Sequence, residues 1–264
     1  PPKSEQTKIA NYLDQKTTAI DKKINLLQAK IKQYQALKKS LINETVCRGL
    51  DKSAPMKNSG VEWIGQVPKH WEVKKLKYIL KERNERSETG EETLLMMSQI
   101  HGLVVRADYH SKAVAGQSTI GYKKVYKDDL VFNKLKAHLG VFFKSKITQG
   151  GIVSPDYAVY YSIGQITDLK FLEILFRQPK YIGQFICRAT GIVEGLIRLY
   201  TDDLFSIEIA VPPKDEQREI LEFTNKETKK IQTAIALKTK EIARLKEYKT
   251  VLIDAAVTGK VFIN

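Results

Sequence analysis

The chain has 264 residues, of which 42% are hydrophobic and 28% are charged, and this globular composition excludes wholesale disorder. Its 44 Lys and Arg against 30 Asp and Glu give a net charge of +14, which indicates either a polyanionic partner, nucleic acid first, or charge that only serves solubility. The longest apolar runs are far shorter than the roughly 20 residues of a membrane span. Two distant cysteines, Cys47 and Cys187, argue against a disulfide scaffold or a structural zinc site and favour a reducing cytoplasm.

An internal repeat frames the chain. Residues 1–46 and 212–257 align without gaps at an offset of 211 and share 15 identical residues. Both copies open with Pro-Pro-Lys-x-Glu-Gln. Because the chain begins with Pro1 rather than Met, we expect a processed protein or a piece of a longer one.

Both copies of the repeat predict a long helix. Each starts with an N-cap type of residue and a first-turn glutamate and is followed by a glycine: Ser4, Glu5 and Gly49 in the first, Asp215, Glu216 and Gly259 in the second. Roughly 40 residues at about 1.5 Å each make a rod of about 60 Å. We therefore predict helices over residues 1–50 and 212–264.

The apolar residues of both helices follow a coiled-coil seam. The stripe of the first copy is Ile20, Ile24, Leu27, Ile31 and Tyr34, and its next steps, Leu37 and Leu41, break the register by one residue. The stripe of the second copy is Ile231, Ile235, Ile242, Leu245, Tyr248 and Leu252, with Lys238 in one seam position. The register breaks at the equivalent place in both, near Leu37 and Tyr248. We predict that the helices pack on each other or on copies of each other, either as a spacer between binding modules or as a dimerisation coiled coil with no other role.

The middle of the chain has a different pattern. Residues 51–61 are typical of a linker, and residues 62–211 predict a mixed α and β domain without a repeating βαβ rhythm. Predicted strands cover 94–100, 103–105, 130–132, 141–143, 157–163 and 206–211, with turn material at 149–151. Predicted helices cover 168–178, started by Asp168 and ended by Pro179, and 181–188. Trp63 and Trp71 are expected to pack the start of this domain.

A basic segment lies inside the domain. Residues 106–146 contain nine basic and three acidic residues, a net charge of +6, with aromatic residues between them. The candidates for phosphate contacts are Lys123, Lys124, Lys134, Lys136 and Lys144. The candidates for contacts with base edges are Arg106, His138, Tyr157 and Arg198. The alternative is a solvated lysine-rich surface, with Tyr157 in the core, Arg198 in an ion pair and Asn133 as a turn or capping residue.

Motifs for catalysis are absent from the sequence. It has no P-loop, GxGxxG, HExxH or GxSxG motif, and its four histidines are scattered. It also lacks the NPPY or DPPY of DNA-adenine methyltransferases. The nuclease-like Glu-Val-Lys at residues 72–74 lacks an evident acidic partner, so we interpret it as a coincidence. We therefore predict no catalytic residues and no metal site.

Four motifs in this order resemble the specificity subunit of type I DNA restriction–modification systems. They are Val-Glu-Trp-Ile-Gly-Gln-Val-Pro-Lys-His-Trp-Glu-Val-Lys-Lys-Leu at 61–76, Asp-Leu-Val-Phe-Asn-Lys-Leu at 129–135, Gly-Ile-Val-Ser-Pro-Asp-Tyr at 151–157 and the duplicated Pro-Pro-Lys-x-Glu-Gln. The resemblance covers essentially the whole chain. It identifies the chain as the C-terminal part of such a subunit or as a half-subunit that pairs with itself.

The resemblance implies an α+β fold in which a mixed α/β target recognition domain is flanked by two long helices that form an antiparallel coiled coil. It implies a noncatalytic, cytoplasmic subunit of a bacterium or archaeon that binds one half of a bipartite double-stranded DNA target. The helices would dock the methyltransferase subunits, and the assembled complex would recruit the restriction subunits. S-adenosylmethionine, ATP and Mg²⁺ would belong to those partners and not to this chain.

A rival interpretation is a coiled-coil scaffold whose β-rich domain binds a protein partner. Salt-dependent, sequence-selective binding to duplex DNA would favour the recognition subunit. Salt-insensitive binding to a protein would favour the scaffold.

Overall fold

The computed structural model describes residues 1–109, 118–164, 166–191 and 198–261. These residues form two compact units, one of Ile42–Glu222 and one of Pro1–Leu41 with the chain from Phe223 onward. The two long helices, α1 (Lys3–Arg48) and α5 (Lys214–Val257), each contribute to both units. The first unit is therefore larger than the predicted recognition domain of residues 62–211.

The second unit is the pair of long helices. Lys249 binds both carboxylate oxygens of Asp21 at 2.6 and 2.8 Å, and Lys23 lies 3.2 Å from Glu241. The contact position falls along α5 as it rises along α1, so the helices are antiparallel, as predicted. The hydrophobic residues buried between them are Ile20, Ile24 and Leu252, with Tyr12, Leu13, Ile242 and Leu245 beside them.

The predicted seam is wrong at the register break. Leu37 is 52% exposed and Tyr248 is 56% exposed, whereas Ile24 and Leu252 are each 7% exposed. The one-residue shift turns these two side chains away from the partner helix, because neighbouring helical positions point in directions about 100° apart. Both copies of the repeat therefore expose an apolar residue at the same place.

The N-caps of both helices lie two residues before the predicted Ser4 and Asp215. The amide of Gln6 donates to the carbonyl of Pro2, and that of Gln217 donates to Pro213. The second proline of each motif thus accepts the first helical hydrogen bond, which is the role of an N-cap carbonyl. Gly49 and Gly259 follow the helices at φ +81° and +72°, the left-handed conformation that glycine adopts most readily.

Twelve strands lie in the described residues of 42–222. Their bounds are β1 Met56–Asn58, β2 Gln66–Pro68, β3 Glu72–Lys75, β4 Leu80–Glu82, β5 Leu95–Ser98, β6 Gly102–Val105, β7 Lys123–Val125, β8 Leu130–Asn133, β9 Phe142–Lys144, β10 Gly151–Val153, β11 Tyr157–Ser162 and β12 Glu208–Val211. The central antiparallel sheet has the order β4–β11–β8–β9, and the pairs β1–β2, β3–β12, β5–β6 and β7–β10 are separate antiparallel ladders.

The central sheet is buried on both faces. On β8, Leu130 and Phe132 belong to the larger core with the short helices, while Val131 belongs to a second core with β5, β6 and β10. Alternate strand residues point to opposite faces, so a single strand supplies both cores. A run of apolar residues without alternation, as in residues 130–132, is the sequence pattern of such a strand.

Three short α-helices cover one face of the sheet. They are α2 (Leu169–Leu175), α3 (Pro179–Arg188) and α4 (Thr201–Phe205). Asp168 caps α2 by accepting a hydrogen bond from the amide of Lys170 at 2.7 Å, as predicted. Pro179, predicted to end a helix, instead begins α3, because the first helical position needs no amide hydrogen. Short 3₁₀ helices cover Leu76–Tyr78, Arg106–Asp108 and Lys134–Leu139.

Two predicted connections contain strands. β1 lies inside residues 51–61, which were predicted as a linker. Its backbone pairs with β2 in an antiparallel ladder. Gly151, predicted as turn material, begins β10, and a Cβ there would lie 2.4 Å from the carbonyl oxygen of Thr93. Glycine therefore lets the backbone of Thr93 approach the strand. A glycine needed for such close approach cannot be distinguished in the sequence from a glycine in a turn.

The start of the domain is packed by tryptophan, as predicted. Trp71 is fully buried, and Trp63 packs edge-on against Tyr181 with ring centroids 5.0 Å apart. Glu72, in the nuclease-like tripeptide, pairs with Lys74 of the same strand. In the described part of the chain no helix has an apolar stretch long enough to cross a bilayer.

Candidate nucleic-acid interface

One group of candidate residues meets where β8 ends and β11 begins. The backbone amide of Lys134 donates to the carbonyl of Asp156 at 3.3 Å, and the carbonyl of Lys134 accepts from Leu199 at 3.1 Å. Arg198 extends from the next segment to the carboxylate of Asp156, with Nη2 2.7 Å from Oδ1. The ladder therefore brings Lys134, Tyr157 and Arg198 together from three separate parts of the sequence.

Tyr157 is held within this group. It lies opposite Asn133 in the β8–β11 register. Burial raises the pKa of its phenol, and hydrogen bonds with the Met97 backbone and the Asn133 side chain lower it in part. Asn133 also accepts from the amide of Leu135 at 2.9 Å, which is the capping role considered for it. Tyr157 is thus fixed by neighbours in the sheet, and its assignment to base contacts stays a prediction.

Arg106 follows β6 and is partly buried. Its Nε atom is enclosed and has no hydrogen-bond partner among the described residues. The guanidinium lies close enough to Tyr157 to act on the pKa of its phenol. The structure therefore brings Arg106 to the same group as Tyr157.

The lysines divide into buried and exposed ones. The Lys123 side chain is 4% exposed, and its Nζ lies 2.9 Å from Oε1 of Glu82, whereas Lys134, 17% exposed, lies 3.9 Å from the same oxygen. Burial by itself raises the pKa of Glu82, but hydrogen bonds from Lys123 and Thr201 and the two lysine charges lower it overall. Lys123 therefore pairs with a partly buried carboxylate, and its assignment to phosphate contacts stays a prediction.

The remaining lysines keep some access to solvent. Lys124 is one-third exposed and lies 3.8 Å from Glu92. Lys136 and His138 are exposed on the 3₁₀ helix, where Lys136 sits at a kink with φ −122° and ψ 27°. Among the candidates these two side chains are the best placed to meet a polyanion.

Lys144 lies apart from the first group. Its Nζ lies 3.3 Å from Asp128 and 3.2 Å from Asp168. Burial lowers its pKa, but the two carboxylates outweigh burial and raise it. Lys144 is therefore already paired. A phosphate would have to compete with Asp128 and Asp168 for its ammonium group.

Beside Lys144 lies a groove of about 260 Å³ that the sequence did not indicate. We call it the hairpin groove. Its lining residues are Gln99, Ile100, His101, Gly102, Leu103, Phe143, Lys144, Lys146, Lys170, Glu173 and Arg177. They come from the β5–β6 hairpin, from the end of β9 and just beyond it, and from helix α2 and just beyond it. The first and the last of them, Gln99 and Arg177, are 78 positions apart in the sequence.

The cations of the hairpin groove surround a buried carboxylate. Glu173 is 6% exposed and accepts from Lys170 at 2.6 Å and from Arg177 at 3.0 Å. It also accepts from the backbone amide of Lys144 at 3.0 Å. Arg177 in addition lies over the Phe143 ring, 4.8 Å from its centroid. The buried carboxylate thus orients Lys170 and Arg177, which lie between it and the solvent.

No His, Cys, Asp and Glu cluster suited to a metal ion occurs among the described residues. What the arrangement offers instead is cationic and amide chemistry at strand ends and hairpin tips. Such groups bind phosphates and base edges.

The fold is similar to that of solved structures. No protein-family model matches the chain. The HsdS subunit from Thermoanaerobacter tengcongensis matches over 99% of this chain and 60% of its own, with 15% identity and a TM-score of 0.54. A chain from a structure that describes complex assembly and conformational transition of the type I R-M system matches over 97% of this chain and 60% of its own, with 14% identity and a TM-score of 0.66.

The chain therefore has an α+β fold, in which two paired long helices flank a mixed domain in the sequence. That fold is the one of the type I specificity subunit HsdS, as the sequence motifs predicted. The chain spans about three-fifths of the length of the solved structures that it matches.

Proposed function

We propose that this protein is a noncatalytic subunit that recognises DNA for a type I restriction–modification enzyme. The observation that carries this proposal is the match of nearly the whole chain, 97% of it, to a type I chain with a TM-score of 0.66. The net charge of +14 and the exposed cations of the domain support a polyanionic partner. The domain would bind one half of a bipartite target in double-stranded DNA.

The bipartite target is supported by the ends of the two helices. Within Ile42–Glu222, the end of α1 and the start of α5 are buried in the domain, with Val46 and Ile220 fully enclosed. Their counterparts at the offset of 211 are Val257, which is 64% exposed, and the partly exposed Ile9. The same residues are thus covered by a recognition domain in one place and open in the other, which fits a second domain of the same kind.

A second domain can come from a longer chain or from a second copy of this one. Self-pairing of half-subunits would give a palindromic target, because a two-fold axis relates identical half-sites. Two different domains would give an asymmetric target with a fixed gap. A rod of about 60 Å is long enough to span two half-sites about 34 Å apart, one DNA turn.

Docking of methyltransferase subunits on the helices is supported by two matched pairs of apolar positions. Leu26 and Leu237 are equivalent in the repeat and are 67% and 62% exposed. Leu37 and Tyr248 are also equivalent and are 52% and 56% exposed. Exposed apolar residues on a helix are typical of a protein interface, and duplication of the pattern fits two copies of one partner.

The chemistry of the complex would reside on those partners. Methyltransferase subunits would bring S-adenosylmethionine, and restriction subunits, recruited by the assembled complex, would bring ATP and Mg²⁺. We place the complex in the cytoplasm of a bacterium or archaeon.

The experiment combines this chain with the methyltransferase subunit encoded beside it and maps methylated bases in a random-sequence DNA pool. Methylation at one defined motif supports the proposal, and its symmetry distinguishes self-pairing from two different domains. Leu26→Ser with Leu237→Ser should weaken methyltransferase binding, whereas Ile186→Ser, 53% exposed on α3, is the matched control. A chain that binds no DNA and no methyltransferase but captures another protein would favour the scaffold instead.

A further inference from the structure

The tip of the β5–β6 hairpin carries an unusual side chain. Ile100 is 87% exposed, the highest value among the large hydrophobic residues that the structure describes. It stands between Gln99 and His101, which are also exposed. An apolar side chain flanked by an amide and an imidazole offers the three contacts that base edges use: a methyl contact, a donor and an acceptor.

The tip is held in one conformation by its own strands. The hydroxyl of Ser98 accepts from the amides of Ile100 at 3.3 Å and His101 at 3.2 Å. Gly102 has φ +83°, and a Cβ there would lie 3.4 Å from the Phe143 ring. The hairpin therefore rests closely on β9, and its tip is positioned by the sheet.

The surface beside the tip is positive. The hairpin groove is lined by four cationic side chains, and Glu173, the one carboxylate among its described lining residues, is buried beneath them. Lys146 is exposed, and no ion pair is seen for it within the described residues. Phe143 lies under both Gly102 and Arg177, so one ring supports the tip and a cation next to it.

A neighbouring groove provides a contrast. It is also lined by cations, Arg83, Lys127, Lys144 and Lys214 among them, but the carboxylates of Asp128, Asp129 and Asp168 lie on the same surface. Asp129 binds Arg83 through two oxygens at 2.9 and 3.0 Å. Four cations face three carboxylates there, whereas four cations face one carboxylate in the hairpin groove, and Lys144 lines both grooves. A phosphate would therefore meet more positive charge in the hairpin groove.

We propose that residues 99–101 enter the major groove of double-stranded DNA and contact bases, while Lys146, Lys170 and Arg177 contact the adjacent phosphates. The major groove is about 12 Å wide and admits a two-stranded ribbon. Glutamine pairs with the N6 and N7 atoms of adenine, and an apolar side chain packs on the thymine methyl group. The tip therefore fits a half-site with at least one A·T pair. This inference rests on the proposed function.

The first test substitutes the tip in the complex with the methyltransferase subunit. Gln99→Ala and Ile100→Ser should each relax one position of the methylated motif and reduce discrimination there by about tenfold. Lys146→Ala should instead weaken binding to all sequences and reduce the slope of log K against log salt by about one unit. Ile186→Ser is the matched control, since it removes an exposed isoleucine outside the hairpin groove.

The second test changes the DNA. Replacing thymine with uracil at the relaxed position removes only the methyl group. It should lower wild-type affinity several-fold and have no further effect on the Ile100→Ser variant, because the two changes remove the same contact. Thermal unfolding of each variant checks the fold, and replacement of a side chain as exposed as Ile100 should leave it unchanged.

The outcomes separate the two proposals. If the wild-type complex methylates a defined motif and both tip variants keep the motif and the affinity, the inference about the tip is overturned and the proposed function stands. If the wild-type complex neither binds nor methylates DNA, both are overturned.

Discussion

The two copies of the helical repeat carry identical residues at their ends but place them in different surroundings. Gln217 is fully buried, and its amide bonds Asp168, Ile166 and Pro212. Its equivalent, Gln6, is exposed and keeps one of these bonds, to Pro1 at 2.8 Å. The hydrogen bond from the glutamine to the first proline therefore forms in both copies of the motif. The bonds with Asp168 and Ile166 form only where the domain is present.

The difference teaches that one short motif has two roles. By itself it starts a helix, since both copies form the same first hydrogen bond to the second proline. In the second copy it also attaches the helix to the domain, because Glu216 accepts from Trp71 at 2.9 Å and from His70 at 2.7 Å. Paired substitutions at equivalent positions measure the second role alone.

The largest expected effect is that of Gln217→Ala. The variant leaves the amide of Asp168 and the carbonyls of Ile166 and Pro212 without their partner, and we expect the free energy of unfolding to fall by about 3 kcal/mol. Gln6→Ala, the matched control, should change it by less than about 0.5 kcal/mol. Urea unfolding followed by tryptophan fluorescence reports on the domain, since Trp63 and Trp71 both lie in it, and far-UV circular dichroism reports on the helices. Equal losses in the two variants would contradict the comparison.

Val46→Ala should have the next largest effect. Val46 is fully buried, and loss of two methyl groups with a cavity should destabilise the domain by about 2 kcal/mol. Val257→Ala removes the same atoms from a side chain that is 64% exposed and should change stability by less than about 0.5 kcal/mol. The same urea titration measures both variants. The prediction fails if Val257→Ala costs as much as Val46→Ala in the isolated chain.

Glu216→Gln should have a smaller effect of about 1 kcal/mol. Glutamine keeps an oxygen for Trp71 but loses the charge, and hydrogen bonds to charged groups stabilise more than neutral ones. Glu5→Gln, at the exposed equivalent, is the control and should be neutral. The thermal unfolding midpoints of the two variants give the comparison. An unchanged midpoint for Glu216→Gln would mean that the attachment of the helix to the domain does not depend on the charge of Glu216.

The predictable part of the fold is the part with local periodicity. The seam residues and the apolar run of β8 indicated helices and a strand because their spacing matches those structures. The exposure of Leu37 and Tyr248 was missed, although the register break marked the place. Pro179 was misinterpreted because proline both ends and begins helices.

The site was less predictable because the partners of its charges are distant in sequence. Lys123 and Lys124 are adjacent, yet strand alternation directs the buried first side chain to Glu82 and the more exposed second one to Glu92. The net charge of +6 counted over residues 106–146 ignored these carboxylates, which lie outside that segment. The hairpin tip was missed because nothing in the sequence shows that Ile100 is exposed.

The smallest expected effect concerns pH and the helix pair. Hydrogen bonds from Lys23 and Lys238 lower the pKa of Glu241 below its ordinary value of 4.5. A lowered carboxyl pKa contributes stability above the unfolded value, and this stability is lost as pH falls through the folded value. The helix pair should therefore unfold at a slightly lower temperature at pH 3 than at pH 7, and Glu241→Gln should reduce that difference. Circular dichroism melts at the two pH values measure it, and an identical pH dependence in the variant would remove Glu241 as a contributor.

Gly49 has a consequence for how such a chain can change over generations. A Cβ at Gly49 would lie 2.8 Å from Glu216 and 3.4 Å from Trp71, so the segment between the helices starts and finishes at neighbouring points. β3 and β12 pair beside these points and close the segment on itself. Because the cost of closing a loop rises only slowly with its length, a cassette of another size can join the same two points. One genetic exchange between Gly49 and Pro212 would thus replace the whole domain between the helices and leave the helical repeat intact.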